Sequence, residues 1–150
     1  MSGTITHIFV APARKAPTKS LQAVEAMKDQ GLEGDRYFEA RNRSGPDSQV
    51  TLIEGEHIEA FTRDTGLAMT PAMPRRNLVT REVALNDLVG KRFAVGEAVF
   101  EGIELCEPCS VFARNTHREV MKYFAGKGGL RARIVRGGVI RVGSPVKAQR

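Results

Sequence analysis

Cys106 and Cys109 are the only cysteines in the 150-residue chain. They stand as C-x-x-C in "FEGIELCEPCSVF", where an apolar run breaks at Glu107-Pro108. A pair at this spacing can be half of a zinc site, a redox dithiol, two packed core residues, or one thiolate ligand with a neighbour. Structural zinc needs four ligands, and the remaining soft donors are three scattered histidines, His7, His57 and His117, with no closely spaced pair among them. A thioredoxin-like dithiol opens a helix in an α/β setting. Pro108 suits that, but the strand-rich surroundings do not. Cys106 ends an apolar strand and reads as a small core hydrophobe. Cys109 follows a proline and begins a loop, where a side chain is presented more often than packed.

Three further stretches could grip an anion. "MPRRNLVT" sets two arginines and Asn77 before a strand, and a guanidinium fork matches phosphate or carboxylate. "APTKSLQAV" offers Lys19 and Ser20, and "GLEGDRYF" carries Asp35 and Arg36 in a Gly-rich turn, where an Asp commonly bonds its own backbone. The glycines of "FAGKGGLRARIV" let a backbone approach a ligand closely. A net charge of +6 and a pI near 9.7 agree with an anionic partner or with a basic solvated surface. Few aromatics and no Trp leave no stacking platform for nucleic acid.

Short strands must position these groups. Alternation of apolar and polar residues marks "TITHIFVAP", stopped by Pro12, then "SLQAVEAM", "QVTLIE", "RNLVT", "KRFAVG" and "AVFEGIELC", the last two joined by a tight turn. Helical spacing runs through Ile58, Phe61 and Leu67, with Gly66 as a C-terminal stop. A helical turn is expected around Leu85 to Leu88. A second helix is expected over "NTHREVMKYFAG", capped by Asn115 or Thr116 and followed by Gly126. The tail "LRARIVRGGVIRVGSPV" predicts a two-stranded hairpin about Gly137-Gly138. Length and composition fit one globular domain over residues 1–150. There is no membrane-length apolar run and no leader-like start, so the expectation is a cytoplasmic protein. Many strands with a few short helices predict a mostly β fold, a closed or nearly closed β-barrel.

The ordered series "TKS", "GLEGDRY", "RRNLVT", "LVGKRFAVGEAVFEG", "CEPC" and "GLRARIVRGGVIRVGSPV" resembles the MOSC domain, the module named after the C-terminal part of molybdenum cofactor sulfurase. The likeness runs from about Thr4 to Val146 and implies a single MOSC-like β-barrel of the small stand-alone bacterial type. It implies a sulfur carrier or molybdenum ligand at Cys109. Lys19, Ser20, Arg36, Arg75 and Asn77 resemble the residues with which the amidoxime-reducing members hold the phosphate of a pterin, the molybdenum cofactor. Pyridoxal phosphate binding is carried by the resemblance at family level only. Two roles follow for the cysteines: Cys109 as metal ligand, or Cys109 as persulfide carrier with Cys106 attacking to release the sulfur. The implied activities are a molybdenum-dependent oxidoreductase acting on N-hydroxylated compounds, or a sulfurtransferase-like carrier. The partners would be the pterin cofactor, a sulfur donor or acceptor protein, or a redox protein. "SVFARNT" after the second cysteine, and Tyr37 after "GDR", depart from the pattern of amidoxime-reducing and many small relatives, a departure that leaves the particular substrate unassigned. The competing expectation is a non-enzymatic basic barrel binding RNA or a protein, with both cysteines as bystanders.

Overall fold

A computed structural model describes residues 2–13, 16–35, 49–108 and 110–149. Cys109 and Arg36 lie outside the described residues. Among those described, eleven strands form: β1 (Ser2–Val10), β2 (Lys19–Leu21), β3 (Ala23–Met27), β4 (Gly31–Leu32), β5 (Val50–Glu54), β6 (Leu78–Arg81), β7 (Arg92–Val95), β8 (Ala98–Leu105), β9 (Leu130–Arg136), β10 (Gly138–Arg141) and β11 (Pro145–Ala148). Seven of them close a barrel in the order β11-β7-β8-β9-β5-β6-β1, with β1 pairing back onto β11. Closure removes the open edges that a sheet of this length would otherwise expose. Its interior is filled by Ile5, Leu52, Phe93, Phe100, Ile134 and Val146, among others.

All the barrel pairings are antiparallel except β5 with β6. A parallel pair needs a crossover, and helix α1 (Gly55–Thr65) supplies it, ending at Gly66 with φ 75° and its N–H on the Thr62 carbonyl. Ile58 and Phe61 of α1 join Phe9, Ile53, Val79, Phe112, Val120 and Phe124 in a second apolar cluster on the outside of the barrel wall. Two short helices, α2 (Ser110–Asn115) and α3 (Val120–Tyr123), lie over this cluster.

Several expectations need correction. The segment opening after the cysteines is helical, not a loop, because Phe112 is pulled into the outer cluster against Phe124. The following helix is correspondingly short, and Thr116 closes α2, its hydroxyl donating to the Phe112 carbonyl at 2.7 Å, rather than capping α3. Gly137-Gly138 does not turn a hairpin: β9 pairs with β5 and β8, whereas β10 leaves to pair with β3. These glycines serve close approach instead. A Cβ at Gly137 would stand 2.6 Å from the Ala26 carbonyl, and one at Gly138 would press on Glu97. The tail holds a third strand, β11, which completes the barrel. "SLQAVEAM" likewise divides at Gln22 into β2, on β1, and β3, in the small β10-β3-β4 sheet.

Candidate functional site on the outer barrel wall

Ile8, Leu78, Leu52 and Leu130 form one inward-facing row across β1, β6, β5 and β9. Strand alternation then turns Phe9, Asn77, Thr51 and Gly129 outward, towards the helices. Asn77 is the hub of this wall and is 5% exposed. Its Oδ1 accepts the Thr51 N–H at 3.0 Å and the Thr51 hydroxyl at 3.3 Å. Its Nδ2 donates to the Phe9 carbonyl at 3.1 Å and to Asp35 Oδ1 at 3.3 Å. Asp35, 2% exposed, also accepts the Ala11 N–H at 2.9 Å. It therefore bonds residues at the ends of two other strands, where its sequence setting suggested a bond within its own turn.

These bonds tie together segments that lie next to residues expected from sequence to grip an anion. Lys19 and Ser20 are exposed on β2, opposite Val10 and Phe9. Asp35 fixes the turn that leads into Arg36, and Asn77 fixes the end of the loop carrying Arg75. Asn77 itself has no spare N–H, since both amide hydrogens are engaged inside the wall. Arg75 has φ 61°, in the left-handed region that a non-glycine residue adopts at a cost of roughly 1–3 kcal/mol. Its N–H closes a turn on Ala72. The surrounding structure enforces this conformation: Met73 and Arg75 make successive turns ahead of Asn77, whose own N–H donates to Thr51 Oγ1.

The cysteine segment reaches the same flank. Cys106 is 2% exposed, and its N–H donates to the Gly129 carbonyl at 2.8 Å. A Cβ on Gly128 would overlap the Cys106 carbonyl oxygen and crowd Glu107 and Pro108, so only glycine lets residues 106–108 lie this close to the chain before β9. From the other side, Arg76 Nε donates to the Gly128 carbonyl at 2.9 Å and Nη1 to the Pro74 carbonyl at 3.2 Å. The guanidinium lies 5.6 Å from the centroid of Phe112, and Nη2 is buried with no hydrogen-bond partner. In the sequence Arg76 stands only as one of two adjacent arginines. Its distinguishing signal, the contact with Gly128 fifty-two positions away, is tertiary.

Elsewhere on the helical layer, Tyr123 donates to Asp64 Oδ2 at 2.8 Å, and Lys127 Nζ stands 4.6 Å from the Tyr123 ring centroid. The Tyr123 hydrogen bond, with help from Arg63, holds the Asp64 carboxyl below its usual range. Desolvation and Asp64 push the Tyr123 phenol up. No group of three or more His, Cys, Asp or Glu side chains among the described residues is placed to hold a metal. No described helix is long and apolar enough to cross a membrane.

A sequence profile of the MOSC domain matches residues 39–147, most of the chain, which therefore belongs to the MOSC domain family. The family is associated with the molybdenum cofactor. No curated protein matches the sequence closely enough to be significant. Among solved structures, YuaD from Bacillus subtilis superposes with a TM-score of 0.84 at 15% identity, over 99% of this chain and 96% of that one. YiiM from Geobacillus stearothermophilus gives 0.79 at 18% identity, over 99% and 75%. YiiM from Escherichia coli gives 0.71 at 18%, over 98% and 70%. At these identities the likeness concerns the fold.

Proposed function

We propose that this MOSC domain binds the molybdenum cofactor on the outer barrel wall, with Cys109 as its thiolate ligand. The observation that carries the reading is the meeting of the basic loop and the cysteine segment at Gly128: Arg76 bonds its carbonyl, and residues 106–108 pack on its Cα. Ser20 arrives on the same wall opposite Phe9 of β1, with Lys19 next to it in the chain, exposed opposite Val10, and Asp35 and Asn77 brace the segments leading to Arg36 and Arg75. The donor set fits an anionic pterin phosphate: exposed Lys19 and Ser20, with no carboxylate ion-paired to Lys19 among the described residues.

In this reading Lys19, Ser20, Arg36 and Arg75 hold the phosphate through charge-assisted hydrogen bonds. Asn77 orients them from within the wall and touches no ligand. Cys109 supplies a soft sulfur donor suited to a sulfur-rich metal centre. When bound, the group would supply a molybdenum centre for redox chemistry. The burial of Cys106 favours ligation over persulfide carriage, since a resolving thiol must reach the sulfur it attacks.

Molybdenum content and sulfide release measured on three variants test this. Cys109→Ala is expected to lose the metal. Arg75→Ala is expected to weaken retention by about tenfold to a hundredfold, the equivalent of roughly 1.5–3 kcal/mol for a charged hydrogen bond. Cys106→Ala should retain the metal. Impaired sulfur turnover in Cys106→Ala with unchanged metal would instead favour the carrier, and unaltered behaviour of all three would favour a bystander role for the cysteines.

A further inference from the structure

We infer that Arg76 binds a second anion, separate from the phosphate assigned to Lys19, Ser20, Arg36 and Arg75, and that its ligand carries a paired-oxygen group, a carboxylate or a phosphate. The guanidinium is fixed in place by two backbone carbonyls, Gly128 and Pro74, and by its packing over Phe112. Neither carbonyl neutralises its charge, and no carboxylate of the described residues forms an ion pair with it. A part-buried cation without a counter-charge is costly, as is a buried N–H group without an acceptor. Both deficits sit at one end of the same side chain. Nε is spent on Gly128 and one N–H of Nη1 on Pro74, which leaves the Nη1–Nη2 end, the edge that accepts two parallel oxygens.

The anion would lie beside Phe112 and the chain at Gly128, next to residues 106–108. Nη2 is closed to water in this structure, so a ligand reaches it by displacing its cover, of which Phe112 on α2 is the ring packed over the guanidinium. Six residues are too few for a helix to be stable by itself, so α2 depends on its packing and can yield. The inference does not rest on the cofactor reading, because neither the pterin nor Cys109 enters it.

The test is a titration of the full chain with inorganic phosphate and, separately, with acetate, at ionic strength held constant with chloride. The Arg76 Nε–H resonance is followed by NMR and thermal stability by calorimetry. A saturable shift of that resonance with either anion is expected, and the anion that produces it identifies the ligand class. Arg76→Gln should lower the affinity for that anion by about tenfold or more, while Arg118→Gln, a change at a solvent-exposed arginine, leaves it unchanged. A resonance unmoved by both anions overturns the inference, even if Arg76→Gln fails to fold. So does anion stabilisation that survives in Arg76→Gln and vanishes in Arg75→Gln, a result that would still leave the phosphate site of the cofactor intact.

Discussion

Cys106 and Cys109 share a motif but not a sequence setting, since a proline precedes only the second. Cys106 is tied by its N–H to Gly129 and is almost wholly enclosed. Timed alkylation of the native protein with site mapping should therefore modify Cys109 first, and Cys106 on the time course of unfolding; early modification of Cys106 would refute the assignment. Asn77 makes the opposite case, a polar residue whose chemistry is spent internally. Asn77→Ala strands the Thr51 N–H and the Phe9 carbonyl, buried groups costing roughly 1–3 kcal/mol each when unsatisfied, while Asp35 keeps its bond from the Ala11 N–H, so a loss of about 2–6 kcal/mol is expected by denaturant unfolding. At the surface, the Tyr123 hydrogen bond lowers the Asp64 pKa and the same contact raises that of Tyr123. The lowered carboxyl contributes stability above its unfolded pKa and loses it as pH falls through the folded value. The raised phenol contributes below its unfolded pKa and loses it as pH rises through the folded one. Tyr123→Phe should move the Asp64 carboxyl titration, followed by NMR, to higher pH. An unchanged titration would mean that the bond is not populated in solution.

Which elements could be read from sequence depended on whether their cause was local. The strand from Ser2 to Val10, the helix ended by Gly66 and the helical turn at Leu85–Leu88 carry their own signals: alternation, a left-handed glycine, a short amphipathic turn. The helix at Ser110–Asn115 carries none. It forms because Phe112 finds Phe124 and Arg76, partners distant in sequence. Gly137-Gly138 misled for a related reason, since glycine demanded by a neighbouring carbonyl looks the same as glycine demanded by a turn. The candidate site was legible as residue types, and the contacts that tie its described segments together were not, because Asn77, Asp35 and Gly128 act across β1, β5 and β9. Gly128→Ala tests the most sensitive of these crossings. The added methyl must push residues 106–108 away, an overpacking cost of about 1–3 kcal/mol. Faster alkylation of Cys106 is expected alongside the lower stability, and an unchanged alkylation rate would show that the segment is not held there.

At the level of the whole molecule, the closed barrel is a rigid wall and the helices are its outer layer, with the basic loop and the cysteine segment meeting on its outer face near their contact. The net charge of +6 suits an anionic ligand of either kind, a pterin phosphate or a nucleic-acid backbone, and charge alone does not choose between them. Salt does: backbone binding to nucleic acid weakens steeply with added salt, and thiolate–metal ligation does not. The direct measurement is molybdenum and pterin content of the protein purified from a host that makes the cofactor, before and after a high-salt wash. The account predicts that molybdenum and pterin elute together with the protein, in matching amounts, and survive the wash. Protein free of both, or carrying only nucleic acid that the salt removes, would contradict it.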